Sequence, residues 1–332
     1  MIRKICILLA CILTLSSLAY ADSYGVLNSG SADSDLSYGL LDALEIDIPE
    51  SVLNGDKIKR SDFVYVVMQP FGIKSQGNVS LPYSDVSANA PYAPSLRAGL
   101  DMGALSEADA FNPDEYITVN QAYKIMLVLL GKTYMANAKG GYPYGFSAVA
   151  DETELSDGIE AAGDEALTGS DFKILTENFL LCEVSEISSV SNGDFELTDG
   201  KTLIECCYNV YVKEAVITAD SKTSLYNPAY NTSDGFAELD GELFKCDFDV
   251  RVGCYAKAFI KESQNVDTLL MLDYSENDIL VIDTDDVSSV SGNILEYESG
   301  DKIKKIKTES DAAFLYNKKA CSPYKPAFKS GK

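Results

Sequence analysis

The sequence predicts a multidomain protein of the α+β class, in which a trimer of helical repeats precedes a mostly antiparallel β domain. Two observations support this prediction. A pattern of short helix, loop and capped helix occurs three times before about residue 183. From about residue 184, apolar residues recur at every second position, which is the period of a strand. The length of 332 residues suffices for two domains with a sizeable buried core.

The first 21 residues have the pattern of a secretory signal peptide. Two basic residues in "MIRK" precede the apolar run "ICILLACILTLSSL", and "AYA" at 19–21 is a small-x-small cleavage site. The apolar run is short for a membrane span. A lipoprotein signal ending at Cys11 is the alternative, but it would be very short. We therefore expect an exported protein with no membrane segment after cleavage, and a flexible linker over residues 22–35.

Charge and composition exclude several classes of function. The formal net charge is −24, which argues against nucleic acid as a partner because phosphates require a basic surface. The chain contains no histidine, so it has no Ser-His-Asp or Cys-His nucleophile system and no Cys/His zinc site. No cofactor and no metal is implied. Six cysteines remain after cleavage, which permits disulfides, and Cys206 and Cys207 are predicted to lie in a strand.

The helical part is best defined by "FNPDEYITVNQAYKIMLVLLG" at 111–131. Thr118 is positioned to cap a helix, and Gln121 three residues later completes a capping box. The apolar residues that follow fall on one helical stripe: Ala122, Ile125, Met126 and Leu129.

The same frame occurs on both sides of this segment. Lys59 and Asp62 occupy the two capping positions upstream, and Thr168 and Asp171 occupy them downstream, at intervals of 50 to 59 residues. An apolar residue directly precedes the first capping position of each unit. A second apolar residue lies twelve positions upstream of that one. These matches define unit 1 (about 36–75), unit 2 (81–131) and unit 3 (141–182). Repeats of this length are typical of supersecondary units that bury their apolar stripes against one another.

The motifs of unit 2 resemble a known family. "YSDV" at 83–86, "YAPSLRAGLDMGAL" at 92–105 and "FNPDEYITVNQ" at 111–121 are similar to S-layer homology repeats. "GKTYMANAKGGYPYGF" at 131–146 is similar to the join between the second and third repeats of clostridial surface proteins. The resemblance extends over residues of about 36 to 182.

This resemblance implies a compact helical trimer that attaches exported proteins to the Gram-positive cell wall. The implied ligand is a secondary cell-wall polysaccharide, often pyruvylated and so anionic, which is held in grooves between repeats by the arginine of "I-T-R-A-E". A guanidinium suits this role because it forms bidentate hydrogen bonds with a carboxylate. The positions that match the motif are Lys59, Arg60, Asp62, Asp85, Thr118, Gln121, Thr168 and Asp171. Val119 and Gly169 replace the arginine in units 2 and 3.

Structural roles alone would also explain the same residues. Arg60 would then be an exposed residue at a helix start, paired with Asp62 or Asp56. Asp85 would cap the helix that begins near Tyr92 or would close a turn. The threonines of units 2 and 3 would be helix caps rather than ligands.

The second half, residues 184–332, predicts a small barrel or a sandwich. "VRVGCYAKAFI" at 250–260 alternates as a half-buried strand, and Asp240-Gly241 predicts a hairpin turn. "TLLMLDYS", "DILVIDTD" and "KIKKIKTE" continue the strand pattern. This half is similar to the segment that follows the repeats in clostridial S-layer homology proteins, and that similarity carries no known chemistry. The lysine-rich tail after Asp311 has three interpretations: a contact with anionic wall polymer, a frayed end, or truncation of a longer protein.

The sequence therefore favours a non-catalytic cell-surface protein attached to the wall, with the β domain as a spacer or interaction module. Two alternatives stay open. One is a wall-active carbohydrate hydrolase that uses paired carboxylates of the β domain. The other is a protein whose repeats make contacts with other surface-layer proteins.

Overall fold

The computed structural model describes residues 36–73, 79–191, 194–198, 200–227, 230–274, 282, 286–291, 294–300, 302–307, 315–316 and 319–320. The predicted signal peptide (1–21), the linker (22–35), most of the "DILVIDTD" segment and the end of the lysine-rich tail lie outside the described residues. Helices dominate the first half and antiparallel strands the second, which confirms the α+β class.

The described helices follow the order of the repeated pattern. Their bounds are α1 Leu36–Ala43, α2 Glu50–Leu53, α3 Arg60–Val67, α4 Ala93–Asp101, α5 Val119–Leu129, α6 Thr133–Ala138, α7 Tyr144–Glu152, α8 Gly169–Leu181 and α9 Leu203–Tyr208, with a 3-10 turn at Gln69–Phe71. Helices α3, α5 and α8 begin at equivalent positions of units 1, 2 and 3.

The segments that precede these three helices are hydrogen-bonded in a ring. The N–H of Ile58 donates to the carbonyl oxygen of Leu167 (3.0 Å), that of Ile117 to Ile58 (3.0 Å), and that of Leu167 to Ile117 (2.8 Å). All three side chains are at most 1% exposed. Each unit therefore donates to one neighbour and accepts from the other, as in a closed arrangement with approximate threefold symmetry.

A second set of bonds joins the same three units in the opposite cyclic direction. The first residue of each of the three helices donates its N–H to the preceding loop of another unit: Arg60 to Glu115 (2.8 Å), Val119 to Glu165 (3.1 Å) and Gly169 to Asp56 (3.2 Å). These bonds satisfy an N–H group that a helix start leaves without an intrahelical partner. The helix starts are consequently fixed to neighbouring units as well as to their own.

The short helices close the ring by packing on the preceding unit. Helix α4 packs on α3, α7 packs on α5, and α1 packs on α8. Phe63 and Phe172 meet edge-to-face in the centre, with ring centroids 6.0 Å apart and an interplanar angle of 67°, and both rings are 0% exposed. Units 1 and 3 therefore share a core although about a hundred residues separate them in the chain.

The second half is built around a closed barrel. Its strands are β3 Val210–Ala219, β4 Phe236–Leu239, β5 Glu242–Lys245, β6 Tyr255–Lys261 and β7 Thr268–Asp273, and they are hydrogen-bonded in the order β3-β4-β5-β7-β6. Strand β3 closes on β6, and β5 runs parallel to β7. The predicted hairpin turn is confirmed, because Asp240 (φ 49°) and Gly241 (φ 85°) connect β4 and β5 with the positive φ angles of such a turn.

Smaller sheets flank the barrel in the sequence. β1 Glu186–Ser191 pairs with β2 Asp194–Thr198, and β11 Leu315–Tyr316 pairs with β12 Lys319–Ala320. β8 Val287–Ser291, β9 Ile294–Ser299 and β10 Lys302–Lys307 form an antiparallel meander in which β10 is an edge strand. Within the described residues, no helix is long and apolar enough to span a membrane.

Two local predictions about the β half are wrong. The strand predicted from residue 250 begins only at Tyr255, because Gly253 (φ 94°) forms a turn that interrupts the extended chain. Cys206 and Cys207 lie in α9 and not in a strand, since Thr202 and Glu205 form a capping box that starts a helix there. Among the described cysteines there is no disulfide. Cys206, Cys207 and Cys254 are half-buried, and Cys182 and Cys246 are buried.

The helical part and the barrel share one packed core. Its buried apolar cluster continues from the helices into α9, β3 and β6 through Leu203, Ile204, Val210 and Phe259. Helix α1 also contacts β7. The barrel is thus held directly against units 1 and 3.

Candidate functional site

The sequence-predicted site residues divide among the three junctions between units. Lys59, Arg60 and Asp62 start α3 in unit 1, where the hydrogen bonds of the ring bring them against the 111–115 loop of unit 2. Asp85 lies on the unit 2 side of this junction. We name the junction of units 1 and 2, lined by Arg60, Tyr83, Asp85 and Phe111, the first groove.

Arg60 lies in the first groove with its guanidinium over an aromatic ring. The guanidinium carbon is 4.9 Å from the centroid of Phe111, and the Nε atom is buried with no hydrogen-bond partner among the described residues. The side chain makes no ion pair with Asp62 or Asp56 in the described structure, so the interpretation of an exposed, paired residue is wrong. Stacking on Phe111 is a cation–π contact that covers one face of the guanidinium.

Asp85 fixes the loop on the other side of the groove. Its carboxylate oxygens accept hydrogen bonds from the backbone N–H groups of Phe111 (2.8 Å) and Asn112 (2.7 Å). Partial desolvation raises the pKa of Asp85, but these two donors and the nearby charge of Arg60 lower it further, so the pKa lies below its ordinary value. Asp85 does not cap α4, whose N-cap residue Tyr92 has no side-chain cap bond.

Lys59 and Asp62 border the groove, and each already interacts with another residue of the protein. Lys59 Nζ lies 2.7 Å from Asp114 Oδ1, and the two side chains are 41% and 84% exposed. The hydrogen bond and the negative charge of Asp114 raise the pKa of Lys59. Asp62 accepts a hydrogen bond of 2.7 Å from the Ser51 hydroxyl. Arg60, unlike Lys59, makes no ion pair among the described residues.

The second junction, between units 2 and 3, has a capped helix start but no cation at the motif arginine position. The predicted capping box is confirmed: Thr118 Oγ1 accepts from the N–H of Gln121 (3.3 Å), and Gln121 Oε1 accepts from the N–H of Thr118 (3.2 Å). Val119, at the motif arginine position, is 1% exposed and belongs to the core. The side chains of Thr118 and Gln121 are thus occupied with each other.

The third junction, between units 3 and 1, is arranged similarly. Thr168 Oγ1 accepts from the N–H of Asp171 (3.1 Å) and donates to its Oδ2 (2.8 Å). Asp171 is 3% exposed and also accepts from the N–H of Glu160 (3.1 Å). At the motif arginine position, a Cβ on Gly169 would lie 3.0 Å from the carbonyl oxygen of Gly55, so this helix start is closely packed.

Several residues of the first groove carry roles that the sequence did not predict. Phe111 supports Arg60, Asp114 pairs with Lys59, and Tyr83 is 5% exposed with its hydroxyl donating to the carbonyl of Ser106 (2.9 Å). Burial raises the pKa of Tyr83. Phe111 was visible at the start of "FNPDEYITVNQ", but nothing in the linear sequence indicates which unit it contacts.

A scan against protein-family models finds no match to this chain, and a search of curated proteins finds none either.

Proposed function

We propose that this protein is a non-catalytic component of the Gram-positive cell surface, and that its three helical units form an S-layer homology trimer that binds an acidic cell-wall polysaccharide. The main observation in support is the half-buried Arg60 in the first groove. Its guanidinium stacks on Phe111 and has no ion-pair partner among the described residues. In this proposal the barrel is a rigid spacer or interaction module outside the cell.

The chemistry of the groove supports a carboxylate-bearing sugar as the ligand. A guanidinium that is already oriented on a ring loses little conformational freedom when it binds a carboxylate through two parallel hydrogen bonds. The N–H groups of Arg60 and Ser61 donate to Glu115 and Pro113, so they are not free for a ligand. The ligand contact therefore depends on the arginine side chain more than on the helix terminus. A pyruvyl group on the wall polysaccharide is a carboxylate of this kind.

The other two junctions support one binding groove rather than three. Val119 is buried and Gly169 has no side chain, so neither supplies a cation at the equivalent position. Units 2 and 3 are retained in this proposal because the ring of hydrogen bonds needs all three units to position Arg60 against Phe111. The protein would bind one ligand segment per chain.

Wall sedimentation tests the proposal. The chain from residue 22 onward is mixed with purified Gram-positive wall, before and after chemical removal of the secondary polysaccharide, because the shared core argues against testing the helices alone. We expect binding to intact wall only, and its loss in Arg60→Ala. Arg251→Ala, which removes an arginine from the barrel, is the matched control and should bind normally. Equal binding to stripped wall, or normal binding by Arg60→Ala, would contradict the proposal.

The hydrolase alternative requires two carboxylates that face each other across a sugar cleft. The cleft at one end of the barrel is lined by Asp220, Asp247 and Asp249, and two of these three carboxylates are engaged. Asp220 accepts from the backbone N–H groups of Lys222 and Thr223, and Asp249 pairs with Lys222 Nζ at 2.8 Å. This arrangement favours binding over hydrolysis.

Contacts with other surface-layer proteins are the second alternative. Exposed tyrosines on the helical part, such as Tyr134 (49%), Tyr142 (50%) and Tyr144 (82%), would suit such contacts. Sedimentation with the stripped wall distinguishes the two functions, since a protein-binding surface would not depend on the polysaccharide.

A further inference from the structure

The barrel has the strand order of a ligand-binding fold. Counted from β3, its five strands are connected as 1-2-3-5-4, the first strand closes on the fourth, and the third runs parallel to the fifth. The first half of β3 pairs with β6 and its end pairs with β4. This is the arrangement of the OB-fold, which binds oligonucleotides and oligosaccharides on its second and third strands and adjoining loops. A fold alone does not assign a ligand, so the chemistry of the surface has to decide.

A cleft lies at one end of this barrel, next to the start of its second strand. It has a volume of about 400 Å³ and lies between the loop after β3, the start of β4 and the loop after β5. This volume is within the range of about 300–1,000 Å³ that is usual for small-molecule sites. Its lining combines two aromatic rings with polar side chains: Phe236, Phe248, Ser221, Lys222, Asp220, Asp247 and Asp249.

The walls of the cleft are held in place by hydrogen bonds within and between its loops. The N–H of Cys246 donates to the carbonyl of Gly235 (2.8 Å), and Lys222 Nζ joins Asp249 across the opening (2.8 Å). Asp220 Oδ1 accepts from the N–H of Lys222 (2.8 Å). A cleft that is formed before the ligand arrives loses little entropy on binding.

The free groups of the cleft select the class of ligand. Phe236 and Phe248 are half-buried, so part of each ring is accessible. Within the described residues, the side chains of Ser221 and Asp247 have no hydrogen-bond partner. The lining carries three aspartates against one lysine, which disfavours phosphate and uronate ligands. A polyhydroxylated neutral ring matches these groups, because its C–H face packs on an aromatic ring and its hydroxyls donate to a carboxylate.

We propose that this cleft, lined by Phe236, Phe248, Ser221 and Asp247, is a second binding site that takes a neutral oligosaccharide. The site does not depend on the proposed attachment through the first groove. If both operate, one chain holds an acidic polymer through its helical units and a neutral glycan through its barrel.

Calorimetric titration with defined tetrasaccharides tests this proposal. The chain from residue 22 onward is titrated with cellotetraose, mannotetraose and tetra-N-acetylglucosamine, and with tetragalacturonate as the anionic comparison. We expect binding of at least one neutral tetrasaccharide and none of tetragalacturonate. Phe248→Ala should weaken the neutral ligand about tenfold, as truncation of an aromatic contact at a binding site commonly does.

Further variants separate loss of the site from loss of the fold. Asp247→Asn alters an exposed side chain outside the core and should weaken binding about threefold, since a charged acceptor binds hydroxyls more strongly than an amide does. Tyr144→Ala removes an exposed ring from the helical part and should change nothing. Arg60→Ala should also leave the neutral ligand unaffected, so failure of wall attachment and failure of this site are distinguishable. No binding of any neutral tetrasaccharide, or equal affinities for wild type, Phe248→Ala and Asp247→Asn, would overturn the proposal.

Discussion

The contact between Phe63 and Phe172 provides a quantitative test of how units 1 and 3 meet. Both rings are 0% exposed, their centroids are 6.0 Å apart, and they are inclined at 67°. An edge-to-face pair of this geometry contributes about 0.5–1.5 kcal/mol beyond the area that it buries. Phe63→Leu and Phe172→Leu each lose this contact and part of the packed volume, so each should lower the free energy of unfolding by roughly 1–2 kcal/mol.

The double variant Phe63→Leu/Phe172→Leu loses the pair only once. Its free energy of unfolding should therefore exceed the additive expectation by about 0.5–1.5 kcal/mol. Urea unfolding followed by far-ultraviolet circular dichroism measures the four corners of this cycle. A matched cycle of Phe63→Leu with Phe244→Leu, a barrel residue that is 3% exposed, should be additive within about 0.5 kcal/mol. Additivity in both cycles would refute the claim that the ring of units closes through these two phenylalanines.

Three further predictions concern side chains outside this pair. Asp85→Asn should lower the free energy of unfolding at pH 7 by about 1 kcal/mol, a modest value because the carboxylate is exposed. The pKa of Asp85 is lowered by folding, so this difference should shrink as the pH falls through that depressed pKa. Thr118→Ala should cost about 1 kcal/mol through loss of the capping box. Glu177→Gln should stabilise the protein at pH 7, because burial and the charge of Asp273 raise the pKa of Glu177 more than Lys257, 4.0 Å away, lowers it. A carboxyl group whose pKa is raised by folding lowers the stability only at a pH at which it is ionised. The gain from Glu177→Gln should therefore vanish in acid.

Urea unfolding between pH 3 and pH 8 measures all three effects, and each has a matched control. Asp62→Asn removes a half-buried acid that accepts one hydrogen bond from a hydroxyl, and should show a smaller effect than Asp85→Asn, which loses two. Thr118→Ser retains the cap and should be nearly neutral. Glu183→Gln changes an exposed glutamate and should be neutral at every pH. A pH-independent cost for Asp85→Asn, or destabilisation by Glu177→Gln at pH 7, would contradict the assignments.

Sequence periodicity predicted the parts of this fold that depend on local interactions. The capping box of Thr118 and Gln121 and the turn at Asp240-Gly241 are determined within a few residues, and both occur as predicted. The regular spacing of Ile58, Ile117 and Leu167 was also visible, because each residue faces the same centre and must be apolar. Such features follow from the period and chemistry of a short segment.

Long-range features could not be derived in the same way. The packing of α1 on α8 and the stacking of Arg60 on Phe111 join segments that are far apart in the chain, and no local pattern specifies them. The helix at Leu203–Tyr208 was missed because its cysteines and tyrosine favour strands. The signal that could have indicated a helix is its capping box, which begins at the residue before Leu203. The continuous core between helices and barrel was missed since a change of period suggests a domain boundary.

The most direct test of the central claim is the affinity of the chain for purified wall polysaccharide before and after removal of its pyruvyl groups. Isothermal titration calorimetry compares wild type with Arg60→Ala and Arg60→Lys, and a chain with Arg251→Ala serves as the control. We expect that loss of the pyruvyl carboxylates and loss of Arg60 each weaken binding at least tenfold, and that the two losses are not additive. Arg60→Lys should restore little affinity, because lysine cannot form the bidentate contact. Equal affinity of wild type and Arg60→Ala for the pyruvylated polysaccharide would contradict the central claim.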